Sequence, residues 1–181
     1  MKAIEIMNEE HKNILRMLKV VRKASFNILN GEEIVYEDFD KIIDFIQNYA
    51  DSYHHRKEED VLFVKMISHM GVTAEKLVKQ GMLVEHDFGR LYIRELKEAL
   101  ERVKAGDEES KLDVIANAIS YTHLLARHID KEDNVVYKFA ERELNDEISN
   151  IIDEECEKFQ LGNNEVQDKY LSILEELEVK Y

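Results

Sequence analysis

The sequence predicts an all-α fold: an antiparallel up-and-down four-helix bundle with a C-terminal helical extension. Three observations carry this. The 181 residues contain no proline, so nothing removes an i→i−4 hydrogen bond or clashes with the preceding turn of a long helix. Apolar residues recur at spacings of three, four and seven along most of the chain, the period of a helix with one buried face. No segment alternates apolar and polar residues between hairpin turns, as exposed antiparallel strands would.

The first helix is expected over residues 3–29, where Ile6, Ile14, Met17, Leu18, Val21 and Ile28 share a face. Asn30-Gly31 stops it, because both residue types accept the left-handed conformation at a helix end. A second helix spans about 36–69, with Phe39, Ile42, Ile43, Phe45, Ile46 and Tyr49 on its apolar side and His69 and Gly71 at its close. Thr73 is a candidate cap for a third helical segment that runs to Ala105-Gly106, with Gly81 as a point of kinking or interruption. Ser110-x-x-Asp113 resembles a capping box and starts a fourth helix that reaches about residue 142. Four long helices on short connections form an antiparallel bundle. Residues 145–181 read as one or two short amphipathic helices around Leu161-Gly162-Asn163-Asn164. The expected division is a bundle of residues 1–142 and an extension, 143–181, that packs on the bundle or mediates association into a homo-oligomer.

Lys and Arg number 25 against 39 Asp and Glu, a net charge of −14. That balance repels nucleic-acid phosphates and anionic membrane surfaces. No apolar run approaches the roughly 18 residues of a membrane span. The first residues, MKAIEIMNEEHK, lack the apolar core of a secretory signal, so the expectation is a cytoplasmic protein. The single cysteine, Cys156, excludes an internal disulfide framework, a Cys-rich zinc site and Cys₄ iron–sulfur ligation. HExxH, P-loop and G-x-G-x-x-G motifs are absent. So is the Glu-x-x-His pair of ferritin-like centres.

The main signal is an internal repeat. Histidines stand at 11, 54, 55, 69, 86, 123 and 128. His54 follows His11 by 43 residues, and His128 follows His86 by 42. His54-x3-Glu58 in the first half matches His128-x3-Glu132 in the second, within a near-match over ten positions, and Glu10-His11 echoes Glu85-His86. The chain reads as one helical hairpin, H…HxxxE, written twice.

Residues four apart on a helix lie about 40° apart around it and one turn apart along it, so their side chains reach the same point. An imidazole and a carboxylate there can share one metal, or the carboxylate can bridge two. Two hairpins packed about a pseudo-twofold axis bring four histidines and two glutamates into the bundle core. That donor set suits a dinuclear site of first-row metals, and a metal supplies the compensation that buried imidazoles and carboxylates need.

These residues resemble the hemerythrin-like (HHE cation-binding) family. The H-HxxxE-H-HxxxE arrangement covers His11 to Glu132, and the flanking helices extend the likeness to about residues 3–142. The resemblance implies a four-helix bundle around a non-haem di-iron centre with an oxo or hydroxo bridge. Carried over by position, the metal ligands are His11, His54, Glu58, His86, His128 and Glu132, with Glu58 and Glu132 as bridges. The oxygen carriers of this family have a second histidine four residues from the one on the third helix; here those positions hold Met82 and Arg90. They also place an Asp five residues after the fourth-helix histidine. Asp133 has that spacing, and Glu132 matches the first half better. Four nitrogen ligands argue against reversible oxygen carriage and leave coordination positions open.

His123 is the leading candidate for a fifth nitrogen ligand or an outer partner, although five residues from His128 place it about 140° around the helix. His55, about 100° from His54, is a further candidate, with an interhelical packing or rim role as the alternative. His69 reads as a charge at a helix C-terminus. Glu59 and Asp133 are either acceptors that fix ligand imidazoles or part of a solvated acidic face. Tyr49, Tyr53, Tyr121 and Tyr137 are core or rim aromatics, any of which could donate to a species bound beside iron. Cys156 lies outside the pattern. The expected function is a non-haem di-iron protein that binds or handles O₂ or a related small species, peroxide or nitric oxide. A di-iron oxidoreductase that decomposes peroxide or handles nitric oxide, and a redox-, oxygen- or iron-sensing module that signals through residues 143–181, are the alternatives, so the sequence leaves enzyme and binder both open. Imidazole also suits zinc, copper and nickel, so other first-row metals remain candidates.

Overall fold

The computed structural model describes residues 1–181, of which 91% are helical, with no strands. There are six helices. α1 is Lys2–Leu29. α2 covers residues 36–69, α3 71–104 and α4 111–143. α5 is Asp146–Leu161 and α6 is Asn164–Lys180. No helix is long and apolar enough to cross a membrane.

The helix ends differ in detail from the expected ones. At the end of α1 only Gly31 is left-handed, at φ +87°, a region where glycine has no Cβ to clash; Asn30 stays at φ −79°. α3 starts at Gly71, so Thr73 lies within its first turn and caps nothing. The Ser110-x-x-Asp113 capping box does not form. The Ser110 hydroxyl donates to Asp107 and accepts from Arg102 Nε, and Arg102 also takes Asp113. The guanidinium of α3 outcompetes the local backbone for both side chains.

Three of the long helices carry wider, i→i+5 turns. They fall at Ile46–His55 and Glu58–Leu62 in α2, Val78–Met82 in α3 and Glu132–Val136 in α4. Gly81 sits inside the third of these, and the helix continues through it. Such turns concentrate at functional sites, and two of the four begin at the repeated glutamates.

Contacts between neighbours fix their directions. Asn13–Tyr49 and Glu10–Lys57 join α1 to α2, Asp51–Arg90 and Glu59–His86 join α2 to α3, and Arg102–Asp113 and His86–His128 join α3 to α4. His11–Asp133 and Arg22–His123 close the ring between α1 and α4. In each pair the residue numbers rise along one helix as they fall along the other, so neighbours run antiparallel.

The interior has three levels. One apolar cluster holds Ile14, Phe39, Ile42, Leu96, Val114 and Leu125 among others. A smaller one at the opposite end holds Met7, Leu62, Phe63, Met66, Val136 and Tyr137 among others. Between them lie Glu10, His11, His54, His55, Lys57, Glu58, His86, His128 and Glu132, all buried.

α5 and α6 pack on the first hairpin. Asn145 caps α5 by accepting from Ile148 N at 2.9 Å. Asp153 of α5 accepts from the amides of Lys2 and Ala3 at 3.2 and 2.9 Å, so it serves the first turn of α1, which has no side-chain cap of its own. Glu178 of α6 takes Arg16 in a two-point pair at 3.0 and 2.6 Å. Tyr170 and Leu174 join the larger core cluster, and Ile152 and Cys156 the smaller.

Candidate metal centre

Each bundle helix delivers its share of the polar level. α1 supplies Glu10 and His11; α2 supplies His54, His55, Glu58 and Glu59; α3 supplies Glu85 and His86; α4 supplies His128, Glu132 and Asp133. The six residues expected from the repeat, His11, His54, Glu58, His86, His128 and Glu132, come together with at most 1% of their surface exposed. They fall into two groups whose donor atoms lie within 4.8 Å of one another. One is His11, His54, Glu58 and Glu132; the other is His55, Glu58, His86 and His128.

Every imidazole in these groups is held from behind. Nδ1 of His11 meets Asp133 at 2.6 Å, that of His54 meets Glu10 at 2.8 Å, and that of His55 meets Asp51 at 3.2 Å. Nδ1 of His86 meets Glu59 at 2.6 Å and that of His128 meets Glu85 at 2.9 Å. A carboxylate on Nδ1 places the ring proton there, which fixes the tautomer and turns Nε2 inward as a lone-pair donor. Five rings held in this way aim five Nε2 atoms at the centre.

The inward atoms lie at ligand spacing. Glu132 divides its oxygens between the groups: Oε2 is 3.3 Å from His11 Nε2, and Oε1 is 3.1 Å from His128 Nε2 and 3.8 Å from His86 Nε2. Glu58 Oε2 lies 3.7 Å from His54 Nε2 and 3.5 Å from His86 Nε2. Two donors at about 2.1 Å from one ion stand about 3 Å apart when they are at right angles. His54 Nε2, Glu58 Oε2 and both oxygens of Glu132 are buried without a hydrogen-bond partner. An orphaned buried carboxylate is costly, and a cation between the groups satisfies all four atoms. The residues present therefore fit a pair of metal ions.

His55 joins the site. Counted along a regular α-helix, it points about 100° away from His54. It lies in the Ile46–His55 stretch of wider turns, where more residues share each turn and successive side chains stand closer in angle. Its ring stacks on His86 at 3.8 Å between centroids and 8° between planes. An imidazole lone pair lies in its ring plane, so one of the two rings must turn for both to reach the same ion. The centre therefore offers five histidines, and the shortage of nitrogen donors expected from Met82 and Arg90 is made good from α2. His123 is excluded: it is exposed and reaches only Arg22, at 3.5 Å, because the 140° offset carries it to the outer face of α4. His69 is exposed at the end of α2. Arg90, at the i+4 position from His86, instead donates to Asp51 and Glu59, both at 2.7 Å, and so steadies the carboxylates behind His55 and His86.

The halves are not equivalent. Tyr137 donates to Glu58 Oε1 at 2.5 Å and stacks on His11 at 5.6 Å. Its counterpart, Phe63, stacks on His86 and has no hydroxyl to donate. Lys57 is fully buried on Glu10, with Nζ 3.5 Å from the centroid of the Tyr53 ring. Lys131 makes the equivalent pair with Glu85 but is 42% exposed. Tyr49, Tyr53 and Tyr121 belong to the larger apolar cluster. Cys156 is buried outside the centre, and burial pushes its thiol up to about 12, which keeps it protonated and unreactive.

In the metal-free chain the imidazoles divide by charge. Burial holds His54 well below its ordinary value, and burial together with His86 holds His55 down at about 3. Burial also disfavours the charged forms of His11, His86 and His128. For His11 the hydrogen bonds to Asp133 and Glu132 outweigh it and raise the ring to about 9; for His86 those to Glu132 and Glu59 do the same. For His128, Glu132 and Glu85 raise it to about 10. Burial and the neighbouring Glu132 push Glu58 up. A raised value means a proton held at neutral pH that competes with a cation. Metal uptake at pH 7 will therefore release protons, and apparent affinity will rise with pH until these groups have titrated. Zinc-binding heats that depend on the ionisation enthalpy of the buffer will show this; heats independent of the buffer would refute it.

A family model described as the hemerythrin HHE cation binding domain matches residues 2–140. No curated protein and no solved structure matches the chain.

Proposed function

Because the chain belongs to the hemerythrin HHE cation-binding family, we propose that it is a non-haem di-iron protein that binds or handles O₂ or a related small species in its bundle core. The observation that carries this reading is the set of four buried, unpartnered donor atoms, on His54, Glu58 and Glu132, between five inward-facing Nε2 atoms. His11 and His54 would hold one ion, and His55, His86 and His128 the other, with Glu58 and Glu132 shared between them. Iron in such a site supplies an open coordination position and electrons for a bound small molecule. The chain does the rest. Asp133, Glu10, Asp51, Glu59 and Glu85 orient the rings. Met7, Leu62, Phe63 and Leu125, all at most 2% exposed, keep bulk water from the polar level. Tyr137 holds a proton at Glu58 Oε1.

Metal content with an optical spectrum, after anaerobic loading and then air exposure, tests the reading. About two irons per chain are expected, with near-ultraviolet bands that bleach on reduction and return in air; no stoichiometric iron would refute it. Tyr137 favours a second reading, an oxidoreductase that consumes peroxide or nitric oxide, since a phenol against a shared carboxylate can donate a hydrogen bond or a proton to a bound species. Sustained catalytic loss of peroxide by the iron-loaded protein separates the two.

A further inference from the structure

A cleft of about 70 Å³ opens between α2 and α3 and ends on the rings of His55 and His86. Its inner walls are Ile46, Gly89, Ile93 and the Tyr121 ring, and Gln47, Asp51 and Arg90 stand with them in its lining. Gly89 leaves the space open: a Cβ there would stand 3.5 Å from Leu125 Cδ2 and 3.6 Å from Tyr121 Cε2, so an added side chain fills the gap between α3 and α4.

Size, polarity and charge together select what can enter. An apolar cavity of about 150 Å³ takes a benzene ring, so this cleft holds only a few heavy atoms. Its isoleucine and tyrosine walls offer little to a hydrogen-bonding molecule, which would lose its water partners on entry. Arg90 is the cation of the rim, and it is matched by Asp51, Glu59 and Asp87, at 2.7, 2.7 and 3.1 Å. Three carboxylates around one guanidinium, on a chain of net charge −14, disfavour an anion.

We propose that this cleft is the access route and holding site for a neutral diatomic gas, O₂ or nitric oxide, on its way to the three-histidine half of the centre. His55 and His86 form its inner wall, and the Arg90–Asp51 pair its rim. The inference rests on the di-metal reading and adds to it a route, a size limit and a preference for diatomic gas over hydrogen peroxide.

The test begins with zinc-loaded, diamagnetic protein carrying labelled isoleucine methyls, under dissolved O₂. Ile46 and Ile93 should relax faster than Ile152, which is as deeply buried but belongs to the other cluster. Gly89→Val should remove the difference, and Gln47→Ala, at an exposed site, should keep it. With iron loaded, Gly89→Val should slow nitric oxide association about tenfold and leave the rate with hydrogen peroxide unchanged. Equal relaxation at all three isoleucines overturns the proposal, and so does an unchanged nitric oxide rate in a Gly89→Val protein whose cleft no longer takes O₂. If Gly89→Val does not fold, the comparison of the three isoleucines in the unaltered chain decides alone. Failure of the metal reading is seen separately, as absence of stoichiometric zinc or iron, and the O₂ experiment on the metal-free chain still reads the cleft.

Discussion

Glu132→Gln will reduce metal content from about two ions per chain to one or none, and excess metal will not restore it. The carboxylate sits at the junction of the two groups, with one oxygen facing His11 and the other facing His128 and His86. Both oxygens are buried and unpartnered, so the residue has no role in hydrogen bonding that an amide would preserve. Gln has the same shape and offers one weak oxygen donor and an NH₂ that points two protons at a cation. Either orientation removes one half of the bridge and adds repulsion to one ion. Glu59→Gln is the control. Glu59 touches only the back of His86 and Arg90, so its loss should weaken affinity by about 10–100-fold and leave full loading at saturating metal. Metal analysis at matched excess, with circular dichroism to establish folding, distinguishes them. Full loading of Glu132→Gln would refute the bridging role.

Lys57→Met will cost the metal-free protein about 3–5 kcal/mol, because it leaves a buried carboxylate without its cation. Lys57 has no exposed surface and pairs with Glu10, itself 3% exposed. Burial lowers the ammonium and raises the carboxyl, and each partner pulls the other back. Met keeps the packing of the stem against Tyr53 and Phe159 and removes only the charge. Lys131→Met is the matched comparison: the same position in the repeat, the same Glu–His chain behind it, but a half-exposed pair with Glu85. Screening by water limits that loss to about 1 kcal/mol or less. Urea unfolding of the two variants checks the difference. Equal losses would mean that α5 contributes no effective burial at Lys57.

The six expected ligands were legible because HxxxE needs only the regular advance of a helix to aim both side chains one way, and the pattern occurs twice. The exclusion of His123 was legible on the same ground. His55 was not, because its place depends on wider turns at Ile46–His55, and apolar spacing at 36–49 gives no sign of where a helix loosens. Glu10 and Glu85 stood in the repeat as neighbours of His11 and His86, but each serves a histidine on another helix, His54 and His128. A residue beside a ligand in sequence is about 100° from it around the helix, so the Glu-His dipeptide itself pointed to cross-helix pairing. The difference between Lys57 and Lys131 was hidden for another reason: the ring that helps to cover Lys57, Phe159, comes from a helix about a hundred residues away.

The wide turns at Glu58–Leu62 and Glu132–Val136 also limit how the length of this chain can drift. Such a turn amounts to one residue more than an α-helix would use. Deleting a single residue there would restore regular winding, but it would rotate everything downstream by about 100°. Phe63 and Tyr137 would leave the faces of His86 and His11, and the apolar cluster beyond them would lose its register. The connections at residues 30–35 and 105–107, which are exposed apart from Ile34, carry no such constraint. Insertions and deletions should therefore accumulate at these connections, while the helical count through each glutamate stays fixed to the residue.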